Sequence, residues 1–560
     1  MGRAATVLET TAGAIAALAL FGIVAALLVN VVARSLGLAL VGANTFALWI
    51  FAILALAALP SLTAQRVPVK GASGLACQAI LGFVLATMGL GAVAAAERLG
   101  GTDAVLGLPV AWRYVAAALL CGLAVLTQFA RCGPGLSGLA FGLGAAAAFL
   151  PLPPLPLAVA AGGLALALFV KVPVALALVF AVVLAPGPMA GAALSQTLMR
   201  GLSTYVLLAV PLFVFAAALL VAGGLGAKIV EAARALTGRR NTAMGEANVL
   251  ASALFGGVSG SSIADAAMGA RLLVPPMVAA GYTPSRAAAL TASSAILPNL
   301  LPPSIALLLA AAATDQSVAA LWLAGVGAGA VVLVALWLAV RLLPPEGKAA
   351  PSAKPSARAL IGGLVPPVLM AAVILTGLRI GLVTAVEAGL FAVALGVLYA
   401  VLGNGWRAAL TALSEAALQT GRVAVLIAAA APVGFILATS GIDWSAALPG
   451  GNPLVATLAA VALALIVGTI LDVGAGILVL LPFLLPAGVA AGADPIAFTL
   501  AVVVALLIGG LTPPVGMLIL VVKDVTGADG AFRAVVPFLL ALVAAAALIA
   551  AGPPLLAMNV

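Results

Sequence analysis

Two groups of small, oxygen-bearing residues sit among glycines and prolines in otherwise apolar surroundings. The first is Ser259, Gly260, Ser261 and Ser262, followed by the break Leu297-Pro298-Asn299-Leu300-Leu301-Pro302-Pro303-Ser304. The second is Gly468, Thr469 and Asp472, followed by Gly509-Gly510-Leu511-Thr512-Pro513-Pro514-Val515-Gly516. Hydroxyls, an amide, a carboxylate and backbone carbonyls are hard oxygen donors, the chemistry of Na+ rather than of a transition metal. The chain has no histidine, which excludes imidazole catalysis and imidazole metal ligation. Cys77, Cys121 and Cys132 have neither CxxC nor metal-type spacing, so neither a disulfide framework nor a cysteine metal site is indicated.

The two groups belong to a repeat. Asp265 pairs with Asp472 and Pro275 with Pro482 at an offset of 207 (472 − 265), while Pro284 pairs with Pro495 and Pro302-Pro303 with Pro513-Pro514 at 211 (495 − 284). The slip of four residues is about one helical turn and reads as an insertion. A carboxylate in apolar surroundings is a functional candidate by default; Asp265 and Asp472 could each bind a cation, carry a proton, or cap the helix that leaves the break. Glu387 reads as a third buried acid, serving scaffold pairing. Arg271 and Arg422, within apolar segments, could pair with carboxylates, and the simpler reading is that they snorkel toward the nearer interface.

These residues need a membrane around them. At 65% hydrophobic and 7% charged, with a mean hydropathy of +1.34, the chain cannot cover a soluble globule of its size, and its apolar runs are continuous rather than alternating. It is expected to be an all-α polytopic membrane protein. The net charge of +9 falls mostly in short loops and suits lipid headgroups and topology better than nucleic acid. Irregular backbone at membrane depth must be satisfied by protein, water or an ion. Glycine- and proline-broken segments at matching positions of two halves point to a secondary transporter's substrate site, and the half-helix N-termini there favour an anionic solute.

Four spans are drawn over 12–33, 44–62, 75–97 and 110–130, the first read as a retained span rather than a signal peptide. They define a small four-helix membrane domain over 1–135, followed by a bridging helix over 136–153. A first repeat covers 154–343 with a re-entrant hairpin near 246–278. A Pro/Ala/Lys-rich cytoplasmic linker covers 344–358, and a second repeat covers 359–560 with its hairpin near 452–490. With the N-terminus cytoplasmic, five of the 24 basic residues fall in outside loops: Arg34, Arg98, Arg113, Arg200 and Arg379. Apart from Arg271 and Arg422 the remainder lie inside, as the positive-inside rule requires. Basic residues flank the first hairpin (Lys228, Arg234, Arg239, Arg240, Arg286), whereas Asp443 and Asp494 flank the second. Entry from opposite sides, an inverted repeat, is therefore expected.

The stretches FGGVSGSSIADAA (255–267), LPNLLPPS (297–304), PFLLPAGVAAGADPIAF (482–498), GGLTPPVGM (509–517) and AVPLFVFAAALL (209–220) resemble the large membrane subunit of tripartite ATP-independent periplasmic (TRAP) transporters. The first 135 residues, with LVNVVARSLG (28–37) and Trp49, resemble the small subunit of the same systems, so the chain looks like a natural fusion of the two. The resemblance implies an elevator-type permease of the bacterial inner membrane. It would act as a monomeric fused permease importing an organic acid anion delivered by a periplasmic substrate-binding protein, with Na+ as coupling ion and no organic cofactor. Carried over by position, Ser259, Gly260, Ser261, Ser262, Asn299 and Pro302 would frame one Na+ site. Gly468, Thr469, Asp472, Gly510, Thr512 and Gly516 would frame the other, with Ser293, Ser304 and Asp472 near the substrate. The chain departs from the family at Thr384-Ala385-Val386-Glu387, at Arg66-Val67-Pro68-Val69 and at Arg271. A membrane-embedded enzyme acting on a lipid or peptide is the alternative, but no nucleophile motif, metal-ligand cluster or nucleotide loop accompanies the acids. A passive channel would want a ring of charges or carbonyls from an oligomer.

Overall fold

The computed structural model describes residues 2–38, 40, 42–64, 71–132, 136–148, 157–185, 192–238, 240–345, 357–440, 448–513 and 515–552. The loop from Arg66 to Lys70, the residues after 148 of the bridging segment, most of the linker, Asp443 and Pro514 lie outside these. Helices dominate. The first nine are α1 (Gly2–Ser35), α2 (Gly42–Ala57), α3 (Leu59–Ala64), α4 (Gly71–Arg98), α5 (Ala111–Cys132), α6 (Leu136–Ala147), α7 (Leu157–Phe169), α8 (Val174–Leu184) and α9 (Ala192–Gly201). Then come α10 (Ala209–Ala222), α11 (Leu225–Thr237), α12 (Ala243–Gly256), α13 (Ser262–Leu272), α14 (Val274–Ala279), α15 (Pro284–Ser294), α16 (Ile305–Thr314) and α17 (Val318–Leu342). The last are α18 (Ala357–Arg379), α19 (Ala385–Asn404), α20 (Trp406–Thr439), α21 (Pro453–Gly468), α22 (Val473–Ala490), α23 (Pro495–Gly509), α24 (Met517–Thr526), α25 (Ala531–Ala534) and α26 (Val536–Ala551).

Ten of the described helices are long and apolar enough to cross a membrane, so the expectation of an all-α multi-pass membrane protein holds. The four N-terminal spans are found at Ala5–Ser35, Gly42–Thr63, Ser73–Arg98 and Ala111–Cys132.

The chain forms two compact units, Met1–Pro211 with Leu410–Ile442, and Leu212–Ala409 with Asp443–Val560. In the first, α6 crosses α4 with Gly82 facing the Phe141 carbonyl and Gly144 facing the Ala79 carbonyl, so the backbones meet with no side chain between them. Such contacts replace the hydrophobic drive that lipid cannot supply. Polar pairs add register: Gln128 Nε2 donates to Gln78 Oε1 at 2.8 Å, Arg131 Nε donates to Glu9 Oε1 at 2.6 Å, and the Arg113 guanidinium lies 5.3 Å from the Trp49 ring centroid. The later part of α20 belongs here too, with Gly421 against Leu54 and Ala58 of the second span and Gly201 against Ala431. This unit therefore combines the N-terminal four-helix region with a segment more than 200 residues further along the chain.

The second unit holds both hairpins and both breaks. In each repeat a hairpin, α12–α13 or α21–α22, precedes a helix interrupted midway, α15–α16 or α23–α24. Packing crosses between repeats: α13 lies on α24 and α16 lies on α22. Each half thus leans its hairpin on the other half's broken helix.

Glu387 corrects an expectation. It is only half-buried and completes a capping box at the start of α19, where Thr384 N–H donates to its Oε2 at 2.7 Å and Glu387 N–H donates to Thr384 Oγ1. The local pattern T-x-x-E satisfies two orphan helix donors, so the acid caps the start of a helix. Arg271 is exposed, whereas Arg422 is half-buried with its Nε unpartnered.

Candidate functional site

The tip of the first hairpin is built by glycine. Gly260 takes φ +54° and stands against the break, where a Cβ would lie 2.5 Å from the Pro303 carbonyl oxygen. No other residue allows both the left-handed backbone and that approach. Ser261 is extended and starts α13 as its N-cap without a side-chain capping bond, and Ser262 is the first helical residue. Asn299, in a short 3-10 turn over Leu297–Asn299, donates from Nδ2 to Ser262 Oγ at 2.7 Å, tying the break to the tip. Ser304 Oγ donates to the Asn299 carbonyl and accepts from Leu307 N at 3.1 Å, capping α16. Trp322 braces the break from α17, donating from Nε1 to the Ser304 carbonyl at 3.1 Å. Pro302 is joined to Pro303 by a cis bond and is buried in the break. Ser259 Oγ is buried and unpartnered at this tip. An orphaned hydroxyl beside a carbonyl-rich turn is what a small oxygen-seeking cation satisfies.

The second site is built differently. Gly468 and Gly509 bring the hairpin and the broken helix into backbone contact: a Cβ at Gly468 would lie 2.6 Å from the Leu506 carbonyl oxygen. Thr469 Oγ1 donates to the Ile466 carbonyl and Thr512 Oγ1 to the Gly509 carbonyl, each at 2.8 Å. Turning each proton back onto its own helix leaves the hydroxyl lone pairs free to accept. Asp472 is the N-cap of α22, its Oδ2 accepting from Gly474 N at 3.1 Å. Gly510 is the C-cap of α23, and its carbonyl accepts from Leu518 N at 3.1 Å across the break. Gly516 starts α24 at φ +56°, packed against Phe532.

These caps set the register of the repeat. The N-cap of α22 is Asp472 and that of α13 is Ser261, an offset of 211 (472 − 261). The N-caps Asp494 and Thr283 have the same offset, as do the left-handed glycines Gly492 and Gly281. The expected four-residue slip is therefore absent from the structure. Asp472 corresponds to Ser261, Pro275 to Pro486, and Asp265 to Gly476. Backbone hydrogen bonding at the caps is stricter than residue identity, and matching the two carboxylates displaced the pairing by one turn.

Asp265 accordingly does not cap. It lies one turn inside α13, 1% exposed, with Oδ1 unpartnered and Ser252 nearby. Ser252 opens a buried polar wedge that sequence reasoning missed. Its Oγ meets Ser294 Oγ at 3.1 Å, Ser294 donates to Asn248 Oδ1 at 2.7 Å, and Asn248 donates to Thr291 Oγ1 at 2.6 Å. The signal was present as polar residues one turn apart on apolar helices, Asn248 with Ser252 and Thr291 with Ser294. Ser293 is fully buried with its hydroxyl donated to the Ala289 carbonyl at 2.8 Å. Of the three expected substrate neighbours, Asp472 alone is half-exposed.

Duplicated hairpins and interrupted helices with four helix N-termini opening at the breaks define a membrane permease of internally repeated architecture. Residues 157–555 match the family described as the tripartite ATP-independent periplasmic transporter, DctM component, and the chain belongs to it. The chain is 33% identical over 313 residues to the 2,3-diketo-L-gulonate TRAP transporter large permease protein YiaN of Escherichia coli, covering 53% of this chain and 73% of that protein. It is 32% identical over 311 residues to the sialic acid large permease SiaM of Vibrio cholerae, covering 53% and 72%. It is 30% identical over 327 residues to the C4-dicarboxylate large permease DctM of Pseudomonas aeruginosa, covering 55% and 75%. This is a family of secondary transport permeases and not of enzymes, which sets the membrane-enzyme alternative aside.

Proposed function

We propose that the chain is a fused TRAP permease of the bacterial inner membrane, N-terminus cytoplasmic, that imports an organic acid anion down a Na+ gradient after delivery by a periplasmic binding protein. The observation that carries this reading is the reciprocal packing of two oxygen-lined hairpin-and-break units in one chain. Ser259, Gly260, Ser261, Ser262, Asn299 and Pro302 hold one Na+, and Gly468, Thr469, Asp472, Gly510, Thr512 and Gly516 hold the other. The solute sits beside Asp472, Ser304 and Ser293, where the N-termini of α16 and α22 present N–H groups to its carboxylate. Each of the three relatives is named for an organic acid, which supports the solute class. Residues before 157 lie outside the family match and supply the small-subunit part of the fusion. The hairpin unit moves across the bilayer as an elevator, carrying Na+ and solute together.

The test is uptake into proteoliposomes with the cognate binding protein added outside. Concentrative uptake is expected with an inward Na+ gradient and none with K+ in its place, and Asp472→Asn and Ser261→Ala each slow it at equal reconstitution. Equal uptake in K+ overturns the coupling; wild-type rates in both variants overturn the site.

A further inference from the structure

The α18–α19 pair, whose Pro367 meets Gly257 at the end of α12, leaves an apolar slot that no described element fills. α19 is fastened to α10 by glycines seven residues apart. A Cβ at Gly389 would lie 2.8 Å from Leu212 Cβ, at Gly396 3.0 Å from Leu219 Cβ, and at Gly403 2.6 Å from the Gly223 carbonyl oxygen. α18 is fastened instead to α11, with Gly363 against the Lys228 backbone and Ala232. Between α18 and α19 remains a groove of about 370 Å³ walled by Val365, Leu369, Leu398 and Leu402, with Leu220 and Lys228 closing one side. Those four side chains are 48%, 53%, 57% and 77% exposed, a contiguous apolar wall whose cover must come from the bilayer.

The rim of this groove is charged. Lys228, on the polar face of the amphipathic helix α11, donates from Nζ to Tyr399 Oη at 2.9 Å and sits 4.8 Å from the Tyr399 ring centroid. Its stem runs along Gly362, where a Cβ would lie 3.6 Å from Cδ. Among the described residues it makes no ion pair, the nearest acid along α11 being Glu231 one turn on. A lysine and a tyrosine at the mouth of an apolar trough match the amphipathy of a lipid: hydrocarbon in the trough, phosphate at the ammonium and the phenol. The unbalanced positive charge selects a headgroup of net negative charge, because a zwitterionic one brings its own cation to the same rim. A second groove of about 450 Å³ between the same helices, lined by Thr376, Ile380, Leu382 and Phe391 among others, has no basic residue.

We propose that the groove at Lys228 is a binding site for an anionic diacyl phospholipid, one acyl chain lying between α18 and α19 and the phosphate accepting from Lys228 Nζ and Tyr399 Oη. The second groove takes acyl chains without regard to headgroup. The experiment is native mass spectrometry of the purified full chain, titrated separately with dioleoyl phosphatidylglycerol and dioleoyl phosphatidylcholine. The first phosphatidylglycerol is expected to bind about five-fold more tightly than the first phosphatidylcholine, the worth of one basic residue at a lipid surface. Lys228→Gln should erase that preference, Lys228→Arg should keep it, and Lys171→Gln, at an exposed loop lysine, should leave it unchanged. Leu398→Trp, which fills the trough, should lower occupancy by the first phosphatidylglycerol. Equal affinity for the two lipids in the wild type, or a preference that survives Lys228→Gln, overturns the proposal. The Lys228 variants change an exposed side chain, so they decide the matter even if Leu398→Trp does not fold.

Discussion

The two hairpins share a register and differ in what they bury. In the first, α12 and α15 meet through Asn248, Ser252, Thr291 and Ser294, and Asp265 adds a carboxylate with an unpartnered oxygen. In the second, Thr291 and Ser294 are replaced by Val502 and Ala505 at the 211 offset, Asp265 by Gly476, and the arms meet through Gly468 and Gly509. The charge moves as well: repeat two places its aspartate at the N-cap, where repeat one has Ser261. One architecture therefore carries two electrostatic designs, a buried polar wedge beside a neutral tip and an apolar hairpin with a charged tip.

The sharpest way to break this comparison is to crowd the tips. Gly260→Val forces a Cβ into the Pro303 carbonyl at a left-handed φ, and overpacking with backbone strain should cost about 3 kcal/mol. Gly468→Val, which has only the crowding, should cost less, and thermal unfolding in detergent ranks the two. Exchanging the caps sharpens the comparison. Asp472→Ser retains a capping oxygen, so stability should change by only a few tenths of a kcal/mol. Removal of the charge should lower Na+-dependent uptake about ten-fold, the scale of one charge-assisted interaction. Unchanged uptake would show that the cap, and not the charge, is what repeat two needs. The smallest effect separates the two aspartates by sign. Asp265→Val removes a buried, incompletely satisfied group and should raise the unfolding free energy by about 1 kcal/mol. Asp472→Val loses an N-cap and should lower it by about 1 kcal/mol. A fall in both would mean that the Asp265 carboxylate is satisfied in the folded protein.

Much of this was legible in composition and punctuation. Continuous apolar runs between basic loops located the four N-terminal spans, three of them within two residues and the first with its start seven residues late, and Pro284, Pro302 and Pro495 marked the repeat because proline and glycine constrain backbone directly. The oxygen-bearing residues that the structure places at the tips and breaks, among them Ser259, Asn299, Thr469 and Thr512, were legible as polar types beside glycine and proline. The pairing of Asp265 with Asp472 misled because side-chain identity says nothing of which turn of a helix a residue occupies, whereas the caps do. Glu387 misled for a related reason. Its apolar neighbours suggested burial, yet the threonine three residues earlier was the stronger local signal. The wedge escaped notice because serine and threonine are common in membrane helices, and only the partner helix shows that these four hydroxyl and amide groups face one another.

The crossed packing of α13 on α24 and α16 on α22 carries an evolutionary consequence. A half-length chain of the same kind would expose the flank that its twin now covers, and a second copy in a two-fold, antiparallel arrangement would cover it by the same reciprocal contacts. Duplication in one gene made that partnership obligatory, after which each copy was free to specialise without losing the other's support.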